Sequence, residues 1–253
     1  MPRLLFTCSY DGNHFCGWQS QLNGQSAQDC MEQAFETILG QKLRISASGR
    51  TDAGVHALAQ PFHVDVPDDC KMPLKAWIPA LNYRLPPALR VVEVAEVDPR
   101  FHARYDAERK TYEYLIELAD VCSPFEHGRV WHKPPQFDKE LLKLAFASYE
   151  GLHDFRMFAS RRGNEPDVPP AGYYERHIFS ATVQEEGSLL RLRVCGSGFM
   201  YRMVRMLVGT AHQVARGKIS MADLKAMMDS PDPVLKSRFC APPQGLYLHS
   251  VEY

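Results

Sequence analysis

The order of hydrophobic patterns along the first hundred residues constrains the fold of this chain more than any other feature. Apolar residues alternate, as the two faces of a strand require, over four segments: residues 3–9, 43–47, 59–66 and 89–97. They recur at helical spacing over 27–38 and 73–83. The predicted order is strand, helix, strand, strand, helix, strand, which is that of a split βαβ, or ferredoxin-like, sandwich.

Local signals predict how several of these elements begin and end. Ser26 followed by Asp29 is a capping-box pattern, and Gly40 stands where a helix C-cap belongs. Pro79 is expected to interrupt the second helix, because proline removes a backbone donor. The last strand is expected to point three valines inward, namely Val92, Val94 and Val97.

The rest of the chain reads as a decorated copy of the first part. Strands are predicted over four segments: 111–117, 176–185, 189–195 and 245–251. Three helices are predicted, one from Asp138 to Gly151 that uses Leu141 and Leu144, one over 199–216 ended by Gly217, and one capped by Ser220. Residues 98–104 are a candidate hinge, so the predicted domains are 1–104 and 105–253. The proline-rich residues 161–170 predict a mobile surface loop.

The composition is that of an ordinary soluble globular protein. Of its 253 residues, 45% are hydrophobic and 23% are charged. No apolar run approaches the roughly 20 residues of a membrane helix, and we expect a cytoplasmic protein without a signal peptide. Seven cysteines are scattered without a CxxC pair, which predicts reduced thiols and neither a zinc site nor a disulfide framework.

The charge balance gives no support to nucleic-acid binding by itself. The net charge is −1 and the isoelectric point is about 6.8. Basic residues nevertheless form three clusters: Arg100, Arg104, Arg109 and Lys110; Arg156, Arg161 and Arg162; Arg191, Arg193, Arg202 and Arg205. If folding joins them they form a positive cleft. The alternative is that each cluster is a solvated surface.

Residues 48–57, here called the signature loop, lie between two predicted strands. Gly49 and Gly54 bracket Arg50, Thr51 and Asp52. A carboxylate beside a guanidinium in a short loop on a rigid sheet is typical of a catalytic site. The local alternative is a turn in which the aspartate bonds its own backbone.

The ten residues Ser48–Ala57 resemble the signature loop of the TruA family of tRNA pseudouridine synthases. The resemblance extends over residues 3–253 and includes Ser9–Gly12, Gly17–Gln19, Gly151–Phe155 and Ala241–Leu248. It implies a pseudouridine synthase fold: α+β, two ferredoxin-like halves with mainly antiparallel sheets, and an active-site cleft between them. It also implies that Asp52 is the catalytic nucleophile.

Two further segments carry the family's other catalytic positions. Gly198–Gly209 resembles the motif around the active-site arginine, which matches Arg205 and implies a salt bridge with Asp52. Arg202 lies three residues earlier, and the pattern predicts both arginines on one face of an apolar helix. They are either buried and paired or extended to water. Arg109–Tyr114 resembles the segment that supplies the active-site tyrosine, here Tyr112, a candidate acceptor of the C5 proton.

The resemblance implies isomerisation of uridine to pseudouridine at tRNA positions 38, 39 and 40, in the anticodon stem-loop. It also implies a homodimer and no cofactor or metal. Besides the catalytic Asp52, Tyr112 and Arg205, we expect substrate contacts from five residues: Arg50, His56, Arg109, Lys110 and Arg202. His56 is expected to help hold the loop, since a metal site with Asp52 and His63 lacks the usual ligand spacing.

Two other functions remain open from the residues. A non-catalytic RNA-binding module would use the same kind of sheet, but it would not need the three catalytic positions. A glycosidase also places a carboxylate at a glycosidic bond, but it generally needs two facing carboxyl groups. The signature loop offers one.

Overall fold

The computed structural model describes residues 1–21, 24–160, 169–229, 237 and 239–253. They form a mixed α+β fold in which most paired strands run antiparallel. The chain divides into two compact units, a first unit of residues 1–108 with 247–253, and a second of residues 109–246. The domain boundary after residue 104 stays a prediction. Residues 161–168 of the predicted surface loop lie outside the described residues.

The first unit has the predicted alternation of strands and helices. Its elements are β1 (Arg3–Tyr10), α1 (Ala27–Leu39), β2 (Ser46–Ala47), β3 (His56–Asp65), α2 (Leu74–Asn82), β4 (Leu89–Val97) and β10 (Leu246–Glu252). The sheet runs β4, β1, β3 with antiparallel pairing. β2 lies antiparallel along one stretch of β3, and β10 pairs parallel with another.

Aromatic side chains form the core of the first unit. Phe6 of β1 and Phe62 of β3 are cross-strand neighbours with ring centroids 5.3 Å apart. Phe35 of α1 meets the edge of Phe6 at 5.4 Å, and Trp77 of α2 lies 6.0 Å from Phe6. Each such pair adds about 0.5–1.5 kcal/mol beyond the burial of its area. The helices are therefore fixed on one face of the sheet.

Three predictions for the first unit need correction. β2 covers only Ser46 and Ala47 rather than 43–47. Pro79 lies inside α2 without ending it. The proline deprives the Lys75 carbonyl of its helical N–H donor, but both residues lie on the solvent-exposed side of the helix. Val92 is 46% exposed instead of pointing inward. The pairing of β4 with β1 shifts register at a bulge, and Val92 is the extra residue of that bulge.

The second unit is built around an antiparallel sheet, and its described residues include three helices. Its elements are β5 (Arg109–Glu117), β6 (Trp131–His132), α3 (Lys139–Ala147), β7 (Gly151–Asp154), β8 (Glu175–Glu186), β9 (Leu189–Gly196), α4 (Met203–Ala215) and α5 (Met221–Asp229). The strands run β5, β9, β8, β7, with β6 parallel to β5. One face of β9 is buried, which matches its alternating sequence.

Two helices of the second unit differ from their sequence patterns. α4 begins at Met203 instead of residue 199, because Arg202 has a φ of 61° and cannot continue a right-handed helix. In α3, Asp138 caps the helix as predicted, but Leu144 is exposed and Gly151 begins β7. The capping of α5 by Ser220 is confirmed.

All seven cysteines lie within the described ranges, and each is present as a thiol. Within the described ranges, no helix is both long enough and apolar enough to cross a lipid bilayer.

Candidate active site

The signature loop is anchored at the point where it leaves β2. The Ser48 amide donates to the Pro61 carbonyl at 2.9 Å, and Gln60 Nε2 donates to Ser48 Oγ at 3.1 Å. A turn follows, in which the Val55 amide donates to the Asp52 carbonyl at 3.1 Å. Gly54 has a φ of 79°, which a residue with a side chain rarely adopts. The loop therefore has one defined backbone path around Asp52.

Two glycines from the segment after β1 support this path from outside. A Cβ on Gly12 would overlap the Val55 carbonyl, and a Cβ on Gly17 would lie 2.7 Å from the Thr51 carbonyl. The Thr51 carbonyl also accepts a hydrogen bond from the Trp18 amide at 3.3 Å. Only glycine permits so close a backbone approach. The resemblance of these flanking segments thus has a physical basis, which is support of the loop.

Three of the predicted site residues lie in this part of the first unit. Arg50 is exposed, and Asp52 is half-buried. His56 is 2% exposed, its Nδ1 accepts from the Gly12 amide at 3.0 Å, and its ring stacks on Tyr247 at 4.6 Å. The carboxylate of Asp11 lies 3.3 Å from the same nitrogen. These contacts are those of a residue that holds the loop, whereas a contact of His56 with RNA stays a prediction.

Tyr112 lies in the middle of β5, at the edge of the second unit's core. It pairs with Val194 of β9 and is 9% exposed. Its ring meets that of Phe199 at 5.1 Å in an edge-to-face arrangement. Phe199 comes from the segment between β9 and α4, so this contact brings that segment next to the predicted catalytic tyrosine.

Arg109 and Lys110 begin the same strand. Lys110 lies opposite Gly196, and Arg109 places its guanidinium carbon 4.7 Å from the ring centroid of Phe179. Phe179 is the extra residue of a bulge between β8 and β9, and its ring centroid lies 4.6 Å from that of His177. A bulge re-aims a side chain, and here Phe179 contacts both the Arg109 guanidinium and the His177 ring.

Arg202 and Arg205 do not share a helix face, contrary to the prediction. Arg202 precedes α4, is exposed, and lies 4.9 Å from the ring centroid of Tyr201. Arg205 lies in the first turn of α4 and is half-buried. Its Nε donates to the Ala241 carbonyl at 2.8 Å. Arg202 therefore extends to water, whereas the Arg205 side chain is half-buried and hydrogen-bonded to the backbone carbonyl of Ala241.

Many of the clustered arginines bind carboxylates instead of forming an open basic surface. Arg191 and Arg193 both bind Glu113, whose side chain is 4% exposed. Arg156 binds Asp154, and Arg100 binds Asp98. Arg161 and Arg162 lie outside the described residues. These ion pairs neutralise much of the charge that the clusters would offer to RNA.

The predicted residues fall into two groups, one in each unit. Arg50, Asp52 and His56 share the signature loop, while Arg109, Lys110, Tyr112, Arg202 and Arg205 lie on β5 or near the start of α4. The sequence reasoning missed four supporting residues, Phe179, Phe199, Ala241 and Tyr247. Phe199, Ala241 and Tyr247 lie in segments that resemble the family, but their contacts were not predictable from spacing.

Comparison with known proteins identifies the family. A family model described as tRNA pseudouridine synthase matches residues 7–106 and 145–253. The protein named tRNA pseudouridine synthase A of Akkermansia muciniphila is 46% identical over 253 residues, covering all of this chain and 96% of its own. Proteins of the same name from Citrifermentans bemidjiense and from a Geobacillus species are 39% and 37% identical to this chain, and the match covers 98% of each of them. This chain belongs to the tRNA pseudouridine synthase family.

Proposed function

We propose that this protein is an isomerase that converts uridine to pseudouridine in tRNA. The observation that carries the proposal is the family match over residues 7–106 and 145–253, which includes the signature loop with its supporting glycines, together with a relative that aligns over the whole chain. The reaction breaks the bond between N1 and C1′, turns the base, and joins C5 to C1′. It is redox-neutral and consumes no water. The tasks of the protein are therefore to present a nucleophile, hold the detached base and move one proton.

We assign these tasks to three side chains. Asp52 is the nucleophile, Arg205 pairs with its carboxylate and orients it, and Tyr112 receives the proton from C5. An arginine beside a carboxylate orients it through directional, charge-assisted hydrogen bonds, as a nucleophile requires. The half-burial of Asp52 and the support of its backbone favour this role. We further propose that the units are two split βαβ halves which act on one uridine from a shared cleft.

The proposed targets are uridines 38, 39 and 40 of the anticodon stem-loop, bound by a homodimer in the cytoplasm. The free thiols fit a reducing compartment. A stacked base must leave the helix, which costs a few kcal/mol. We propose that Arg50, which is exposed and lies two residues before Asp52, fills the vacated space or holds the phosphate. We expect Arg50→Ala to lower turnover, and unchanged binding and turnover would remove this role.

Product mapping tests the proposed function. An unmodified tRNA transcript with uridines at 38, 39 and 40 is incubated with the protein, and pseudouridines are located by carbodiimide labelling and primer extension. We expect stops at those positions and no release of free uracil. Free uracil would indicate a glycosidase instead. Tight binding without any modified base would indicate an RNA-binding module.

A further inference from the structure

A segment before the last strand lies across α4 and β5 of the second unit. We call residues 239–245 the strap. A Cβ on Gly209 of α4 would overlap the Phe239 carbonyl, so glycine lets the strap contact the helix backbone. Beside it, the hydroxyls of Thr210 and Ser237 share a buried hydrogen bond of 2.7 Å. The start of the strap is therefore fixed against the middle of α4.

The strap holds the predicted catalytic arginine through two reciprocal hydrogen bonds. The Ala241 amide donates to the Arg205 carbonyl at 2.9 Å. In return, Arg205 Nε donates to the Ala241 carbonyl at 2.8 Å. Because the guanidinium is planar, fixing Nε restricts the direction in which its other two nitrogens point. A shift of Ala241 would therefore turn the part of Arg205 that is proposed to face a carboxylate.

Tyr114 of β5 fixes the far end of the strap. Its hydroxyl donates to the Pro242 carbonyl at 2.8 Å. A Cβ on Gly245 would lie 2.7 Å from the Tyr114 ring, so the strap lies flat against the ring. Tyr114 is 0% exposed, and burial raises its pKa well above the ordinary tyrosine value. The hydroxyl thus stays protonated and donates throughout the pH range in which proteins are stable.

We propose that Tyr114 is a positioning residue for catalysis. It touches no reacting atom, and it acts by holding Pro242 and thereby the Ala241 carbonyl that orients Arg205. The inference rests on the proposed role of Arg205 in the reaction. Tyr112 and Tyr114 then have different tasks on the same strand, since Tyr112 acts on the substrate and Tyr114 acts through Arg205.

The test compares two substitutions that each remove one buried hydroxyl. Tyr114→Phe removes the bond to the strap. Tyr149→Phe is the matched control, because the hydroxyl of the equally buried Tyr149 donates to the Leu207 carbonyl of α4 at 3.0 Å, which is not part of the strap. We expect kcat on tRNA to fall about tenfold in Tyr114→Phe with KM within twofold, since small misplacements of a catalytic group are costly. Tyr149→Phe keeps the wild-type kcat.

A second measurement reads the strap without using activity. Hydrogen exchange at the Ala241 amide reports its bond to Arg205, and we expect faster exchange in Tyr114→Phe than in wild type or Tyr149→Phe. Unchanged exchange would overturn the proposal. Faster exchange with an unchanged kcat would also overturn it, since the strap would then not serve catalysis. If wild type forms no pseudouridine, the proposed function fails instead, while exchange still measures the strap.

Ser237→Ala provides an independent variant, in case Tyr114→Phe does not fold. Ser237 precedes the strap, and its hydroxyl accepts from the Phe239 amide at 3.4 Å, so the substitution removes this bond together with the one to Thr210. The expected result is the same: faster exchange at Ala241 and a lower kcat at similar KM. A variant that exchanges as wild type does would count against the proposal.

Discussion

At the residue scale, Arg202 has an unfavourable backbone conformation at a position predicted to contact substrate. Its φ of 61° is the left-handed region, and among the described residues it is the one non-glycine residue there. The side chain is exposed, and the backbone carbonyl accepts from the Met206 amide at 3.0 Å. Such strain costs on the order of 1–2 kcal/mol and tends to occur at functional sites. We infer that an arginine occupies this strained position because its side chain is needed there.

Two substitutions separate the strain at Arg202 from the function of its side chain. Arg202→Gly relieves the strain and should raise the free energy of unfolding by about 1 kcal/mol, whereas Arg202→Ala keeps the strain and should not. Both should weaken tRNA binding to a similar extent. Chemical denaturation and filter binding measure the two effects. A glycine variant no more stable than the alanine variant would show that the backbone is not strained.

At the element scale, the signature loop depends on glycines that lie outside it. Gly17 combines a φ of 105° with a position 2.7 Å from the Thr51 carbonyl. Gly40, the C-cap of α1, has a φ of 72° but no neighbouring atom within 4 Å. Substitution with alanine therefore introduces backbone strain at both positions and a collision only at Gly17.

We expect Gly17→Ala to reduce kcat more than tenfold, because it displaces the backbone next to Asp52. Gly40→Ala should cost about 1 kcal/mol of stability and leave kcat at the wild-type value. Single-turnover kinetics at saturating tRNA and thermal unfolding measure both properties. Equal effects of the two substitutions on kcat would show that support from Gly17 is not needed for catalysis.

The bulge in β8 offers a different element for the same kind of test. It places Phe179 in contact with the guanidinium of Arg109 and with the ring of His177. Aromatic rings beside cations stack with unpaired bases, and one such contact is worth about 1–3 kcal/mol. Phe179→Ala should therefore weaken tRNA binding about fivefold or more, while Phe179→Tyr retains it. Unchanged affinity in Phe179→Ala would exclude a stacking role.

Element types and the ends of α1 were predictable because local signals determine them. The capping box of Ser26 and Asp29 is present, and Gly40 ends the helix with a φ of 72°. The position of Val92 and the start of α4 were not predictable. The first depends on the pairing register with β1, and the second on one left-handed residue. Similarly, the motif pointed to Arg205, but the carbonyl that orients it comes from 36 residues away.

At the scale of the whole molecule, each unit contains a buried histidine whose pKa is lowered by its burial. Burial lowers the pKa of His63 in the first unit and of His212 in the second to about 4. His63 Nδ1 accepts from the Ala103 amide at 3.1 Å. The ring of His212 lies between Trp131 and Phe137, and neither ring nitrogen has a hydrogen-bond partner among the described residues. Both histidines are therefore stable in the fold only when uncharged.

This burial predicts the direction of acid destabilisation. As pH falls from about 6.5 to about 4, the unfolded chain binds protons before the folded one, so the free energy of unfolding falls. Each histidine contributes at most about 1.4 kcal/mol per pH unit. We expect His212→Phe to reduce this slope, and the exposed control His127→Gln to leave it unchanged. Urea unfolding at several pH values measures it, and a wild-type slope in His212→Phe would contradict the assignment.

The central claim is that Asp52 carries out the chemistry of a tRNA-modifying isomerase. Its most direct test is release of tritium from tRNA labelled at uridine C5, measured for the wild-type protein and for Asp52→Asn, with tRNA binding followed in parallel. We expect release by the wild type, and for Asp52→Asn no release despite near-normal binding. Release by both proteins would contradict the role of Asp52. Binding without release by either would contradict the assignment of this protein as an enzyme.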